Sequence, residues 1–250
     1  MIKNNRLINS IIALSLYLGL FYFVTTRAIG VKLDFSPYVA YRKVIFNGWI
    51  TTIEVSVLGV LLSLIVGLVL YFMSQSSVLL VKYIAGIHKT IIFGTPLLVI
   101  AIVSYYYIGS AFAVDSKLLV GVVTLGLYIG AYISDIYKGA IESIHINQWQ
   151  TAKMFGLSKT QTYRYVIFPQ VLKSILPPLA GQFALTIKGS ALLSYMALNE
   201  FFNEINVVQS SSFRFAEGFV VVSLGYWIIT VPLITFVRKL EEQLHVRIIK

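Results

Sequence analysis

Six stretches of roughly 20 mostly apolar residues, at 7–26, 48–73, 90–114, 118–137, 176–198 and 218–237, constrain this chain more than any other feature. A helix needs about 20 such residues to cross the hydrocarbon core of a bilayer. Inside that core every backbone N–H and C=O must be paired within the segment, which helices achieve. Only 12% of the residues are charged, against roughly 25% in a soluble domain. The expectation is an all-α membrane protein with about six spans, forming one transmembrane domain over residues 1–250.

The first stretch opens with Lys3 and Arg6, as a signal peptide would. Its apolar run exceeds the roughly 7–15 residues of a signal-peptide core and no small-residue cleavage site follows, so it reads as an uncleaved span. Residues 78–93 lead into the third stretch. Lys82 and Lys89 lie seven apart there on one helical face, which suggests a segment skimming the membrane interface before turning inward.

Charge sets the orientation. With six spans the two termini share a side, and thirteen of the twenty Lys and Arg fall on that side or in the loops that belong to it. Six fall opposite, at 27, 32, 42, 43, 117 and 214, and Lys188 lies within a span. The positive-inside bias places both termini and the long loop 138–175 in the cytoplasm. The net charge of +10 is therefore topological. It is scattered between apolar runs with no basic stripe, which argues against nucleic-acid binding.

Several chemistries are missing. Without cysteine there are no disulfides and no thiolate chemistry. No Gly-rich phosphate loop, nucleophile elbow or zinc-binding H-E-x-x-H is present. His88, His145 and His245 are far apart in sequence and lack metal-ligand spacing. No metal site, no catalytic residue and no bound cofactor are expected, and the chain does not read as an enzyme.

Trp49 and Tyr105–Tyr107 sit where aromatic belts anchor spans. Gly126 and Gly130 form a G-x-x-x-G that would permit close helix approach. Lys188 is the most telling residue within the spans. A charge at that depth costs about 2.5–3.5 kcal/mol on insertion scales, so it should face the bundle interior or a wet cavity. Its counter-charge could be Glu54 or the carboxylate of a substrate. Pro177, Pro178, Gly181 and Gly189 would let the same helix bend.

About forty residues separate the fourth and fifth stretches, and they are patterned. Asn147 three residues before Gln150 reads as a helix start, and Gly156 is placed to end that helix in a left-handed conformation. Ser158 and Gln161 repeat the box, and Pro169 should break or bend the second helix. The product is two short helices about a Gly hinge, with Trp149, Ala152 and Phe155 on one side. That apolar side either packs on the chain's own spans or fills a groove on a partner.

The run from Gln148 to Ser158, with Tyr163–Gln170 after it, resembles the coupling ("EAA") loop of ABC importer permeases, in particular the polar amino acid branch. The resemblance runs from about Gly48 to Leu240. It takes in Asn47-Gly48 with Thr52-Ile53-Glu54, then Gly94-Thr95-Pro96-Leu97-Leu98, Gly130-Ala131-Tyr132 and Leu176-Pro177-Pro178-Leu179. It implies the fold of a type I importer transmembrane domain with a five-span core over 48–240, so residues 1–27 look like an added N-terminal span. It further implies a bacterial inner-membrane subunit pairing with a second permease subunit, identical or different. Cytoplasmic ATPases would carry ATP and Mg, and an extracytoplasmic binding protein would deliver a small polar solute such as an amino acid.

Carried residue by residue, the resemblance assigns ATPase coupling to Gln148, Trp149, Gln150, Thr151, Ala152, Gly156, Leu157 and Pro169. With the intramembrane charge, it points to a substrate path past Glu54, Thr95, Pro96, Gln182, Lys188 and Ser190. There are departures. Gln150-Thr151-Ala152 stands where Glu-Ala-Ala is usual, Phe93 replaces a common Arg, and Lys188-Gly189-Ser190-Ala191-Leu192 lacks an acid after its lysine. A sensor or scaffold that binds an ATPase without transport, and an importer of another solute, are the alternative readings. A channel would need rings of polar pore residues, which are not apparent.

Overall fold

The computed structural model describes residues 2–29 and 33–249. Lys32 and Lys250, weighed above for orientation, lie outside the described residues, as do the side chains of Lys3, Arg6, Arg247 and His245. Among the described residues the regular structure is all helical, joined by short turns. In order come α1 (Ile2–Ile29), α2 (Ser36–Ala40), α3 (Arg42–Ser74), α4 (Leu79–Gly94) and α5 (Leu97–Ile102), which continues as a π-helix over Val103–Gly109. Then follow α6 (Lys117–Glu142), α7 (Ile146–Met154), α8 (Lys159–Gln161) with a π-helical continuation over Thr162–Ile167, and α9 (Phe168–Gly189). A 3₁₀ segment over Ser190–Met196, α10 (Phe201–Ser212) and α11 (Phe215–Ile249) complete the chain.

Helices α3 and α6 form the spine and run parallel. Val55 lies against Gly121, Leu62 against Gly126, Val66 against Gly130 and Ile133 against Gly67. Small residues make this possible. A Cβ on Gly130 would stand 2.6 Å from Val66 Cγ1, and one on Gly126 2.6 Å from Leu62 Cγ. The G-x-x-x-G of α6 is thus a helix contact. It has a counterpart in Gly48, Thr52, Gly59, Ser63 and Gly67, a buried small-residue stripe along α3. With no hydrophobic drive between helices in lipid, close packing of this kind supplies the association.

Three helices are long and apolar enough to cross a membrane alone, Arg42–Ser74, Lys117–Glu142 and Phe215–Gln243. α6 is the most enclosed of the three, 56% buried over its most apolar stretch against 22% for α11, so α11 turns most of its surface outward. A fourth crossing is broken. α4 and Leu97–Gly109 meet at 113° across Thr95-Pro96, so the third stretch begins at Leu97, and Thr90–Gly94 belongs to α4. Proline ends α4 because the residue before it is driven out of the helical region, and Thr95 is extended at φ −124°, ψ 129°. Among the described residues three or four crossings meet this test, against the six read from hydropathy. The fifth stretch is helical but carries Pro177, Pro178 and Lys188, and among the described residues α1 contributes the apolar run Ile11–Val24.

The two ends of the spine differ. At the end where α3 begins, Tyr38, Ile45, Ile187, Phe201, Ile205, Val208 and Tyr226 pack together and seat α10 on α3 and α11. At the end where α6 finishes, Ile129, Ile133, Ala140, Ile167, Val171, Ile175 and Leu179 join α6 to α9.

Candidate functional site

The segment between α6 and α9 is built from local rules and then locked by packing. α7 starts two residues earlier than Asn147 suggests. The N-cap is His145, whose Nδ1 accepts from the Asn147 N–H at 3.2 Å. Gly156 closes α7 at φ +72°, with Gly156 N–H donating to Lys153 O at 3.0 Å and Leu157 N–H to Ala152 O at 3.1 Å. That pair of bonds is the Schellman arrangement, which satisfies the last carbonyls. Ser158 and Gln161 form a reciprocal box, Gln161 N–H on Ser158 Oγ at 3.3 Å and Ser158 N–H on Gln161 Oε1 at 2.9 Å.

Pro169 does not break the second helix. The chain stays helical from Lys159 to Gly189, and a π-helical run at Thr162–Ile167 precedes the proline. Gln170 Nε2 donates to the Val166 carbonyl at 2.8 Å, one turn back in the same helix. The second helix is therefore the lower part of the fifth stretch. Pro177 and Pro178 likewise lie inside α9 without ending it.

The faces of α7 divide differently from the grouping of Trp149, Ala152 and Phe155. Ala152 is buried and Trp149 half-buried, with Trp149 edge-on to Tyr163 at 5.1 Å and packed on the α6–α9 core. Phe155 turns away and is 81% exposed, beside Met154 at 87%. The geometry explains this, because Phe155 is the C-cap and has left the helical repeat. Gln148, Gln150 and Thr151 are exposed as well, and Leu157 is half-buried. Gln148 accepts a bond from Gln170 at 3.4 Å. A rigid foot thus presents exposed apolar and neutral polar side chains, its back fixed to two long helices.

The residues proposed for a path come from several levels. Thr95 and Pro96 form the break before α5, where Tyr128 OH donates to Thr95 O at 3.4 Å. Leu97 Cδ2 stands 3.0 Å from the place of a Cβ on Gly189, so the break adjoins the end of α9. Gly59, Leu125 and Thr186 meet in the same layer, which lies halfway along α3. Lys188 is exposed at this mid-depth level, on a face of α9 that also carries Pro177, Gly181 and Leu185. Glu54 is exposed on α3, and no ion pair joins it to Lys188. Gln182 is half-buried, while Ser190 is fully buried and donates back to Ile187 O at 2.8 Å. The absent acid after Lys188 has a steric setting, since Leu97 occupies the space beside Gly189. Phe93 packs tilted against Tyr132, with ring centroids 4.8 Å apart and planes at 58°.

Sequence reasoning missed a buried acid at the other end. Glu200 is 0% exposed and caps α10, accepting the Asn203 N–H at 2.7 Å, the Thr52 hydroxyl at 3.0 Å and the Tyr226 hydroxyl at 3.1 Å. Thr52 Oγ1 in turn accepts the Phe201 N–H at 3.0 Å. Gly48 allows the approach, since its Cβ would meet Glu204 Cγ at 2.6 Å. The spacing of Gly48 and Thr52, one helical turn, was the available signal. Trp49 does more than sit in a belt, because its Nε1 donates to Gly225 O at 3.1 Å and ties α3 to α11.

Residues 59–246 match the family described as "Binding-protein-dependent transport system inner membrane component". The chain belongs to this family. It is 30% identical over 218 residues to the glutamine transport system permease protein GlnP of Escherichia coli (strain K12), covering 86% of this chain and 99% of that one. It is 29% identical to the probable amino-acid ABC transporter permease protein YckA of Bacillus subtilis (strain 168), over 77% of this chain and 85% of the relative. Among solved structures, an amino acid ABC transporter crystallised with histidines superposes with a TM-score of 0.76 at 27% identity, over 85% of this chain and 100% of that chain. The methionine transporter MetNI, inward facing, gives 0.60 at 12% identity and shows the shared fold. The family's transmembrane fold is that of type I ABC importers, as the motifs implied.

Proposed function

We propose that this family member is one permease subunit of an ATP-driven importer, passing a small amino acid delivered by an external binding protein. The observation that carries the reading is α7, a capped helix whose back is packed on α6 and α9 while Met154, Phe155, Gln150 and Thr151 stand free. A helix outside the apolar layer that exposes two large apolar residues suits the groove of a partner. The partner in this reading is a cytoplasmic ATPase, with both termini on its side and a second permease subunit completing the path. The amino acid class is supported by the relatives, which are named for glutamine and amino-acid transport.

The mechanism follows from connectivity. Movement of α7 passes to α6 through Trp149 and to α9 through the helix that continues from Lys159. About 30 residues at 1.5 Å each give a lever of roughly 45 Å from α8 to Lys188. At its far end Lys188 and the N-terminus of α5 share one level, and both favour a carboxylate, the first by its charge and the second by the positive end of the helix dipole. Nucleotide and substrate must each prefer one of two arrangements for transport to be driven, since a ligand without preference shifts nothing.

The test is co-purification of the ATPase subunits with full-length permease, followed by ATP hydrolysis in vesicles. Met154→Ser with Phe155→Ser should abolish ATPase capture while leaving thermal unfolding of the permease unchanged, since both side chains are exposed. Undiminished capture would sink the reading.

A further inference from the structure

We propose that the groove between the end of α3, the surface helix α4 and the end of α6 binds the phosphate headgroup of an anionic membrane lipid. The groove has a volume of about 710 Å³, and Lys82, Lys89 and Lys138 line it against a single carboxylate, Glu142. The cations are unequally compensated. Lys89 is held by Asp135 at 2.5 Å, whereas Lys138 and Glu142 are 3.9 Å apart on an exposed surface. Lys82 is exposed and has no ion-pair partner among the described residues.

The apolar residues beside these lysines select a lipid over a free anion. Leu79 and Ile87 line the same groove. On α4 the residues Leu80, Ile84, Ile87 and Ile91 recur every three or four positions and are each at least half exposed, at 70, 50, 59 and 53%. Lys82, Gly86 and Lys89 follow the same spacing on the side away from Leu80, Ile84 and Ile91, and Ile87 stands at the rim between the two sides. α4 is thus amphipathic, lies across the spine at the break from α5, and follows directly from a helix long enough to span the membrane. Such a helix lies in the interfacial plane, apolar side toward acyl chains, where cations meet anionic headgroups. A phosphate at Lys82 and Lys138 would leave its acyl chains along Leu79 and Ile87. The inference rests on the chain being embedded in a membrane and is independent of transport.

The experiment is native mass spectrometry of the full-length permease in a neutral detergent, titrated with phosphatidylglycerol, phosphatidylcholine or inorganic phosphate. Phosphatidylglycerol should bind more tightly than phosphatidylcholine, and inorganic phosphate should not displace it. Lys82→Gln with Lys138→Gln should weaken phosphatidylglycerol roughly 10- to 30-fold, as expected for losing two interfacial cations. Lys43→Gln, an exposed cation at the opposite end of α3, should have no effect, and Lys82→Arg should keep the binding. Equal affinity for the two lipids, equal loss in the Lys43 variant, or displacement by inorganic phosphate would each overturn the proposal. The lipid preference of the unaltered protein decides the matter even where the double variant fails to fold.

Discussion

Single residues here act by what they omit as much as by what they add. Gly156 has nothing within 4 Å of where a Cβ would sit, so its role is conformational rather than steric. An L residue at φ +72° costs about 1 kcal/mol or more. Gly156→Ala should fray the end of α7 and lower ATPase stimulation by substrate-loaded binding protein several-fold, with little change in unfolding temperature. Full stimulation in that variant would show that the left-handed turn is dispensable. Glu200 is the opposite case, an added group that costs. Burial pushes its carboxyl above the usual carboxylate range, and the amides of Phe202 and Asn203 with the Thr52 and Tyr226 hydroxyls recover only part of this. The folded value exceeds the unfolded one, so the folded chain holds the proton more tightly. The associated stability is full below the ordinary carboxylate range and is lost as pH rises through the folded value. Relative to the unaltered protein, Glu200→Gln should therefore gain unfolding temperature as pH rises from acid to neutral. A difference that stays constant with pH would refute this.

At the scale of elements, the parallel pair α3 and α6 carries the packing that every other helix leans on. Its closeness depends on Gly59, Gly67, Gly121, Gly126 and Gly130 facing large partners across the contact. Gly130→Val would place branched carbons on Val66 and the backbone of Gly67, where a Cβ alone already comes within 2.6 and 3.3 Å. Overpacking of that kind costs about 1–3 kcal/mol, to be read as a lowered unfolding temperature in detergent. Gly139→Ala, on the same helix with nothing within 4 Å, should be neutral or mildly stabilising, and a loss as large as that of Gly130→Val would mean that the glycines matter for another reason. The π-helical run before Pro169 shows the same logic in the long helix. An irregular turn lets a proline sit in a continuous lever.

For the whole molecule, the question is how a foot at one end governs a charge halfway along the bundle. Lys188 has no ion-pair partner among the described residues, and its face of α9 is exposed. An unpaired ammonium at mid-depth is stable only against water, substrate or a second subunit. Lys188→Ala should leave folding intact, since the side chain is exposed, and should lower transport of an amino acid in vesicles about tenfold. That figure corresponds to one hydrogen bond to a charged group, of about 1.5 kcal/mol. Unchanged rate and selectivity would remove Lys188 from the path.

Much was legible in the residues alone. Apolar length determined the helical membrane class, because lipid forces backbone pairing within each segment. Local chemistry determined the Gly156 stop and the Ser158–Gln161 box, since both depend on bonds spanning three to five residues. The motifs named the family. Other features needed the folded chain. Phe155 shares a helical spacing with Trp149 and Ala152, yet its place at the C-cap turns it outward. Thr95-Pro96 sits inside one apolar stretch, and only the seating of α4 on α3 and α6 shows a crossing bent there. Glu54 and Lys188 are the charges that hydropathy makes conspicuous, but they do not pair. Glu200, a fully buried acid with hydroxyl and amide partners, lies between spans, where no span-by-span reading would weigh it. Hydropathy and periodicity record what each segment wants from its surroundings. Which segments supply those surroundings is decided by pairs such as Thr52 and Glu200, 148 positions apart.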